Sequence, residues 1–304
     1  MAESPVTAVP PAAKSRPKGH KIGAAHFDVA TLAGIVLALA GILGGLLLER
    51  GSIQDVAQTT AAMIVFGGTF GAVLVTTPMP VFRRALQGLK AVFLTGEEAI
   101  AIRIDNLIDF ATKARRYGIV SLETEAAALL DPFFRKAMGL AVDGTDLAEL
   151  RKIMEIDIAL AEQAGEAEAK VWEAAGGYAP TVGIIGAVMG LIQVMKHLED
   201  IKAVGHGIAV AFVATVYGVG SANIFFLPAA SKLRARHRAA TLMHEATLEG
   251  VMGIVEGLNP TLLRTKLSSF SLPEAAPAKA RPANSLRAPR NPAAAVARAG
   301  AEQH

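Results

Sequence analysis

Thr181, Thr215, Tyr217, Ser221 and Asn223 stand out because of where they sit. They interrupt two long apolar runs, Tyr178–Met195 and Gly207–Leu227, and no acid, amine or imidazole accompanies them inside either run. Hydroxyls and one amide can line a path and donate or accept hydrogen bonds, but none of them gains or loses a proton near neutral pH. Such a set suits the wall of an ion path whose charged carrier comes from another chain. Catalytic chemistry is poorly served. His197, His206, His237 and His244 are scattered, without the spacing to carboxylates that a metal centre needs. The chain has no Cys, which removes disulfides and thiolate metal sites. No phosphate-binding glycine loop of the G-x-x-x-x-G-K-S/T kind is present. The residues therefore point away from an enzyme and imply no cofactor.

The elements that must position these side chains are membrane helices. Each run is long enough to cross a hydrocarbon core of about 30 Å as a helix. The short charged hinge between them turns the second helix back antiparallel to the first. Two further spans lie upstream. Val29–Leu48 has no charged side chain, and Thr60–Val75, extending as far as Pro80, is rich in glycine. The second of these also fits a buried core helix by length. About half the residues are hydrophobic, with frequent Gly and few aromatics, as in tightly packed membrane helices. The expected fold is an all-α integral membrane protein with four transmembrane helices and a large helical cytoplasmic loop between spans 2 and 3.

Basic residues orient the chain. Lys14, Arg16, Lys18 and Lys21 precede the first span, Arg83, Arg84 and Lys90 follow the second, and Lys232, Arg234, Arg236 and Arg238 follow the fourth. The other two loops carry only Arg50 on one side and Lys196 and Lys202 on the other, beside acids. The positive-inside rule then puts both termini and Val81–Gly177 in the cytoplasm. Met1–His26 is Pro/Ala-rich and is not a secretory signal, since no cleavage motif follows the first apolar run. The divisions are 1–26, a cytoplasmic tail; 27–80, spans 1 and 2; 81–177, a cytoplasmic helical domain; 178–229, spans 3 and 4; 230–270, a cytoplasmic helix; and 271–304, a basic tail.

A loop of roughly a hundred residues needs structure of its own. Thr95-Gly-Glu-Glu98 has the capping-box pattern for a helix running to Tyr117, with Gly118 as its C-terminal cap. Ser121 is placed to open another short helix, and Asp131-Pro132 to break the pattern. Asp146-Leu-Ala-Glu149 repeats the capping pattern ahead of an apolar stripe through Leu150, Ile153, Met154 and Ile158. Gly176-Gly177 is expected to end that helix or bend it into the third span. Ser231–Leu258 reads as an amphipathic helix packed on the others. The tail from Ser271 is too poor in large apolar side chains to offset ordering entropy. It also lacks interleaved aromatics for stacking bases, so no nucleic acid is expected as a partner.

FDVATLAGIVLALAGILGG at Phe27–Gly45, VFGGTFGAVLV at Val65–Val75, DPFFRKAMGLAVDGTD at Asp131–Asp146, GGYAPTVGIIGAVMGL at Gly176–Leu191 and AVAFVATVYGVGSANIFFLP at Ala209–Pro228 together resemble the MotA/PomA flagellar stator subunits. The likeness runs in order from Phe27 to Phe270. The related TolQ and ExbB proteins have three spans and an external amino terminus, so four spans with the amino terminus inside resemble the motor branch. The resemblance implies a homo-oligomer, a ring of five around two copies of a MotB-type partner. That partner's single span supplies a protonatable carboxylate, and ion flow at the interface in the bacterial inner membrane drives the rotor through FliG.

Residue by residue, Pro180 and Pro228 resemble the prolines that open the third span and close the fourth in this family. Proline at helix ends is also common without any function. Thr215 matches a threonine facing the partner helix; the bland alternative is a hydroxyl bonded back to its own helix. Arg115, Arg116, Glu123 and Glu125 fall on the rotor-contact stretch, although most charge runs are only solvated faces. Sodium-type members usually carry threonine at the position of Ala187 and paired threonines at Ala214-Thr215. Two missing hydroxyls favour protons. Gly183, Gly186 and Gly190 form a small-residue helix-packing face, expected to join neighbouring copies. Two other classes stay open: a TolQ/ExbB-like energiser of an envelope process, and a membrane scaffold without ion flow.

Overall fold

The computed structural model describes residues 26–95 and 100–270. The expected tails 1–26 (apart from His26) and 271–304, and the Gly96–Glu98 part of the first capping pattern, lie outside the described residues. Thr95 itself stands in a two-residue strand.

The elements in order are β1 (His26–Phe27), α1 (Val29–Leu48), α2 (Ile53–Val56), α3 (Thr59–Thr76), α4 (Met79–Phe93), β2 (Leu94–Thr95), α5 (Ile100–Tyr117), a 3-10 turn (Ile119–Leu122), α6 (Glu123–Ala127), α7 (Pro132–Val142), α8 (Leu147–Lys196), α9 (Ile201–Ser221), a π-turn (Ala222–Phe226), α10 (Leu227–Val255) and α11 (Pro260–Ser268). The fold is all-helical apart from the antiparallel β1–β2 contact, which pairs His26 with Thr95. Among the described residues, four helices are long and apolar enough to cross a membrane: α1, α3, α8 and the α9–α10 run.

The first span begins where the Asp28 side chain accepts from the Thr31 amide at 3.2 Å, satisfying a helix-end donor. No residue of α1 is buried within the chain. Its start is tied down where the Asp28 amide donates to the Phe93 carbonyl at 2.9 Å and Lys232 Nζ meets the Asp28 carboxylate and the Thr31 hydroxyl. The second span, α3, is different: Ala61, Val65, Thr69 and Val73 are buried at intervals of four. That spacing is one helix face, pressed on α8 and α9.

Below the spans, α5, α6, α7, α11, the first half of α8 and the last part of α10 enclose a core built on Leu107, Phe134, Met138, Leu150, Met154 and Val251. Gly118 ends α5 as expected: its φ of +82° is one that side chains resist, and its amide donates to Ala114 at 2.9 Å. Ser121 does not open a helix; it lies in the 3-10 turn, with its hydroxyl on the Gly118 carbonyl at 2.6 Å. Asp131-Pro132 starts α7 instead of only breaking a pattern. Its carboxylate accepts from the Phe133 amide at 2.8 Å and Phe134 at 3.4 Å, with Pro132 at the first helical position, where no N–H is needed. Asp146 caps α8 as expected, accepting from Ala148 at 3.0 Å.

The Gly176-Gly177 pair neither ends nor separates helices: α8 runs for 50 residues from the head to the far end of the third span. Pro180 has no N–H to donate to the Gly176 carbonyl and its ring crowds that carbonyl, so the helix continues through it against a local cost. Gly176 is also packed tightly, since a Cβ there would lie 2.5 Å from Leu227 Cδ2. The fourth span likewise flows into α10 through the π-turn, where the Leu227 amide reaches back five residues to the Ala222 carbonyl. The wide turn comes immediately before Pro228, whose ring could not follow a regular turn without strain.

Candidate functional site

Spans 3 and 4 form an antiparallel hairpin, and glycine brings them together. A Cβ on Gly183 would stand 2.9 Å from the Ala214 carbonyl oxygen and 3.2 Å from Gly218 Cα. On Gly190 it would stand 2.7 Å from the Gly207 carbonyl and 2.8 Å from the Ala211 amide. On Gly186 it would meet Ala214 Cβ at 2.7 Å and Ile64 at 3.3 Å. These three glycines are therefore a helix-packing face, but within one chain, joining α8 to α9 and α3. The expectation that this face joins neighbouring copies is corrected by that geometry: its surface is already occupied.

Ala187 follows Gly186 and is half-buried, as is Thr215. The Thr215 hydroxyl donates to the Ala211 carbonyl of its own helix at 3.3 Å. Thr181, Ser221 and Asn223 also bond back, to Tyr178, Gly218 and Val219. Tyr217 departs from this pattern. Its hydroxyl donates to the Val56 carbonyl at 2.6 Å, and its ring sits 6.1 Å from that of Phe66, so it ties span 4 to the segment ahead of span 2. The composition of the run could not separate a tie of this kind from a lining hydroxyl. Thr69, which the sequence did not single out, is fully buried with no protein partner for its hydroxyl. Its signal was a lone polar residue on the four-residue stripe of α3.

Pro180 is half-buried and Pro228 exposed. They flank the Gly176–Leu227 contact, one on each helix. An aromatic cluster lies just below: Trp172 with Phe225 and Phe226, at ring distances of 6.0 and 6.1 Å. Trp172 Nε1 donates to the Ala85 carbonyl on α4 at 3.2 Å. Both long helices thus pass from the spans into the head through a closely packed collar.

In the head, Arg115 and Arg116 are exposed in the last turn of α5, and Glu123 is exposed at the start of α6. Glu125 is not free: Lys113 Nζ lies 2.5 Å from its carboxylate. That pair is half-exposed and is worth about 0–1 kcal/mol at most. The structure groups all four charges around the Gly118 turn and adds Lys113, which the charge run around Arg115 already contained. A stronger interaction lies deeper. Arg103, 4% exposed, meets Asp131 at 2.6 Å and sits 5.0 Å from the Phe134 ring centre. Burial alone would raise the Asp131 carboxyl, but the Arg103 guanidinium and the Phe133 and Phe134 amides outweigh it and hold it below the usual range. Asp131 in sequence gave only a turn signal; its partner is 28 positions away and invisible to local pattern.

Two family models match the chain: the MotA/TolQ/ExbB proton channel family over residues 125–246 and the motility protein A N-terminal region over residues 32–112. Motility protein A of Helicobacter pylori is 35% identical over 246 residues, covering 81% of this chain and 96% of that protein. Chemotaxis protein PomA of Vibrio alginolyticus is 31% identical, covering 80% and 95%. Among solved structures, C. jejuni MotAB superposes with a TM-score of 0.77 at 34% identity, covering 82% of this chain and 98% of that one. The flagellar MotAB stator complex from Bacillus subtilis gives 0.74 at 30% identity, covering 81% and 96%.

Proposed function

The chain belongs to the motility protein A branch of the MotA/TolQ/ExbB proton channel family, and from that membership we propose how it works as a flagellar stator subunit. Copies of the chain assemble in the bacterial inner membrane around a MotB-type partner, as the likeness to MotAB complexes supports. A ring of five around two partner chains, with both termini in the cytoplasm, is the arrangement we adopt. The partner's carboxylate carries the ion past the wall that Thr215 and Ala187 line, and Pro180 and Pro228 pass the resulting movement to the head. Arg115, Arg116, Glu123 and Glu125 meet the rotor protein FliG.

The observation that carries this reading is the continuity of two helices. The apolar, uncharged wall and part of the head core belong to the same α8 and the same α9–α10 run, and α5, which carries Arg115 and Arg116, packs on α10. Any tilt at the wall must therefore appear in the head. A carboxylate brought against this apolar wall has its neutral form favoured, which suits a group that loads and unloads a proton. The ion is a proton, because no second hydroxyl stands beside Thr215 and Ala187 offers none. The test is to express the chain with its MotB-type partner in cells lacking other stators and record swimming. Motility should persist in sodium-free medium and stop with an uncoupler. Motility that follows external sodium and ignores the uncoupler would reject the proton assignment.

A further inference from the structure

We propose that the end of the α8–α9 hairpin remote from the head binds a divalent transition-metal ion through His197 and His206. His197 and His206 line one cavity of about 400 Å³, which Thr60, Met189 and Gln193 also border. His197 is already prepared as a ligand. Its Nδ1 lies 3.1 Å from the Gln193 carbonyl oxygen. A carbonyl cannot donate, so Nδ1 carries the hydrogen, which in the neutral ring leaves the lone pair on Nε2. A ring held by a backbone carbonyl in this way is the usual second layer behind a metal-bound imidazole. His206 borders the same cavity from the first turns of α9.

The donor set selects the class of ion. No carboxylate lines the cavity, so Mg²⁺ and Ca²⁺ lack the hard oxygen ligands they need. Imidazoles beside a thioether suit Zn²⁺, Ni²⁺ and Cu²⁺. Among the described residues no three His, Cys, Asp or Glu side chains converge, so this is not a closed structural centre. Two protein ligands leave the remaining positions to water, which makes the ion exchangeable with the surrounding solution. The site stands on its own donors, independently of the stator reading.

The test uses the untagged full chain purified with its partner, with Zn²⁺ binding followed by equilibrium dialysis. Five other histidines supply a background, so the difference between variants is the measurement. His197→Ala and His206→Ala should each weaken one Zn²⁺ equivalent by about tenfold or more, and the double variant should lose it. Mg²⁺ should not compete. With Cu²⁺, paramagnetic resonance should show two nitrogen donors in the wild type and one in each single variant. Both side chains are exposed, so folding should survive, as gel filtration will report. Unchanged Zn²⁺ stoichiometry and affinity in the double variant, or a site indifferent to His206→Ala, overturns the proposal.

Discussion

Thr215 shows what a residue type can and cannot say. Its place in VATVYG was legible, but its hydroxyl rests on the Ala211 carbonyl, where it would sit in any helix. Thr215→Val keeps the shape and removes a back-bond worth about 1 kcal/mol or less. The variant should remain assembled in the membrane while proton flux, measured in vesicles, falls. Undiminished flux would make the hydroxyl inert. Thr69 is the opposite case: fully buried, with no protein partner. Thr69→Val removes an unsatisfied group at nearly constant volume and should raise stability by up to about 1 kcal/mol. Thermal unfolding in detergent checks this, and a lowered midpoint would mean that the hydroxyl holds something. Neither partnership could be read from the chain, because burial of a single hydroxyl depends on which helix faces it.

At the scale of elements, the long spans, the end of α5 and the start of α8 were legible from apolar length, Gly118 and Asp146, whereas α4, α7 and α11 were not. Nor was the continuity of the long helices. Proline and paired glycine are local breakers, yet α8 passes through Gly176, Gly177 and Pro180, with Gly176 packed against Leu227. The glycine face was legible as a contact, but not what it touches. Gly186→Leu would drive a side chain into Ala214 and Ile64, at a cost of at least about 1–3 kcal/mol. The hairpin itself should loosen, and the unfolding midpoint of the chain should drop before any effect on assembly. A normal midpoint with lost oligomers would return this face to the subunit boundary. The head should respond to acid. Burial holds His244, stacked on Phe133 at 4.1 Å, below its ordinary 6.5. The folded state therefore binds that proton less readily than the unfolded chain, and stability falls as pH drops below about 6.5. Asp131, depressed below 3.8, adds a second loss at more acid pH. The unfolding midpoint should decline from pH 7.5 to 5.5 in the wild type and less steeply in His244→Phe. Equal slopes would remove His244 from the account.

At the scale of the whole molecule, the class, the spans and the family resemblance were all on the face of the sequence, because long uncharged apolar runs have few other uses. The mechanical link was not, since it depends on helices that ignore their own breakers. In the mechanism we propose, ion movement beside Thr215 and Ala187 turns into movement of Arg115 and its neighbours through that link. The direct measurement is rotation of a bead on a flagellar stub in cells whose only stator is this chain with its MotB-type partner. Speed should rise in steps as units join, and fall in proportion as an uncoupler lowers the proton gradient. A complex that assembles in the membrane and conducts protons, yet never turns the bead, would contradict the account.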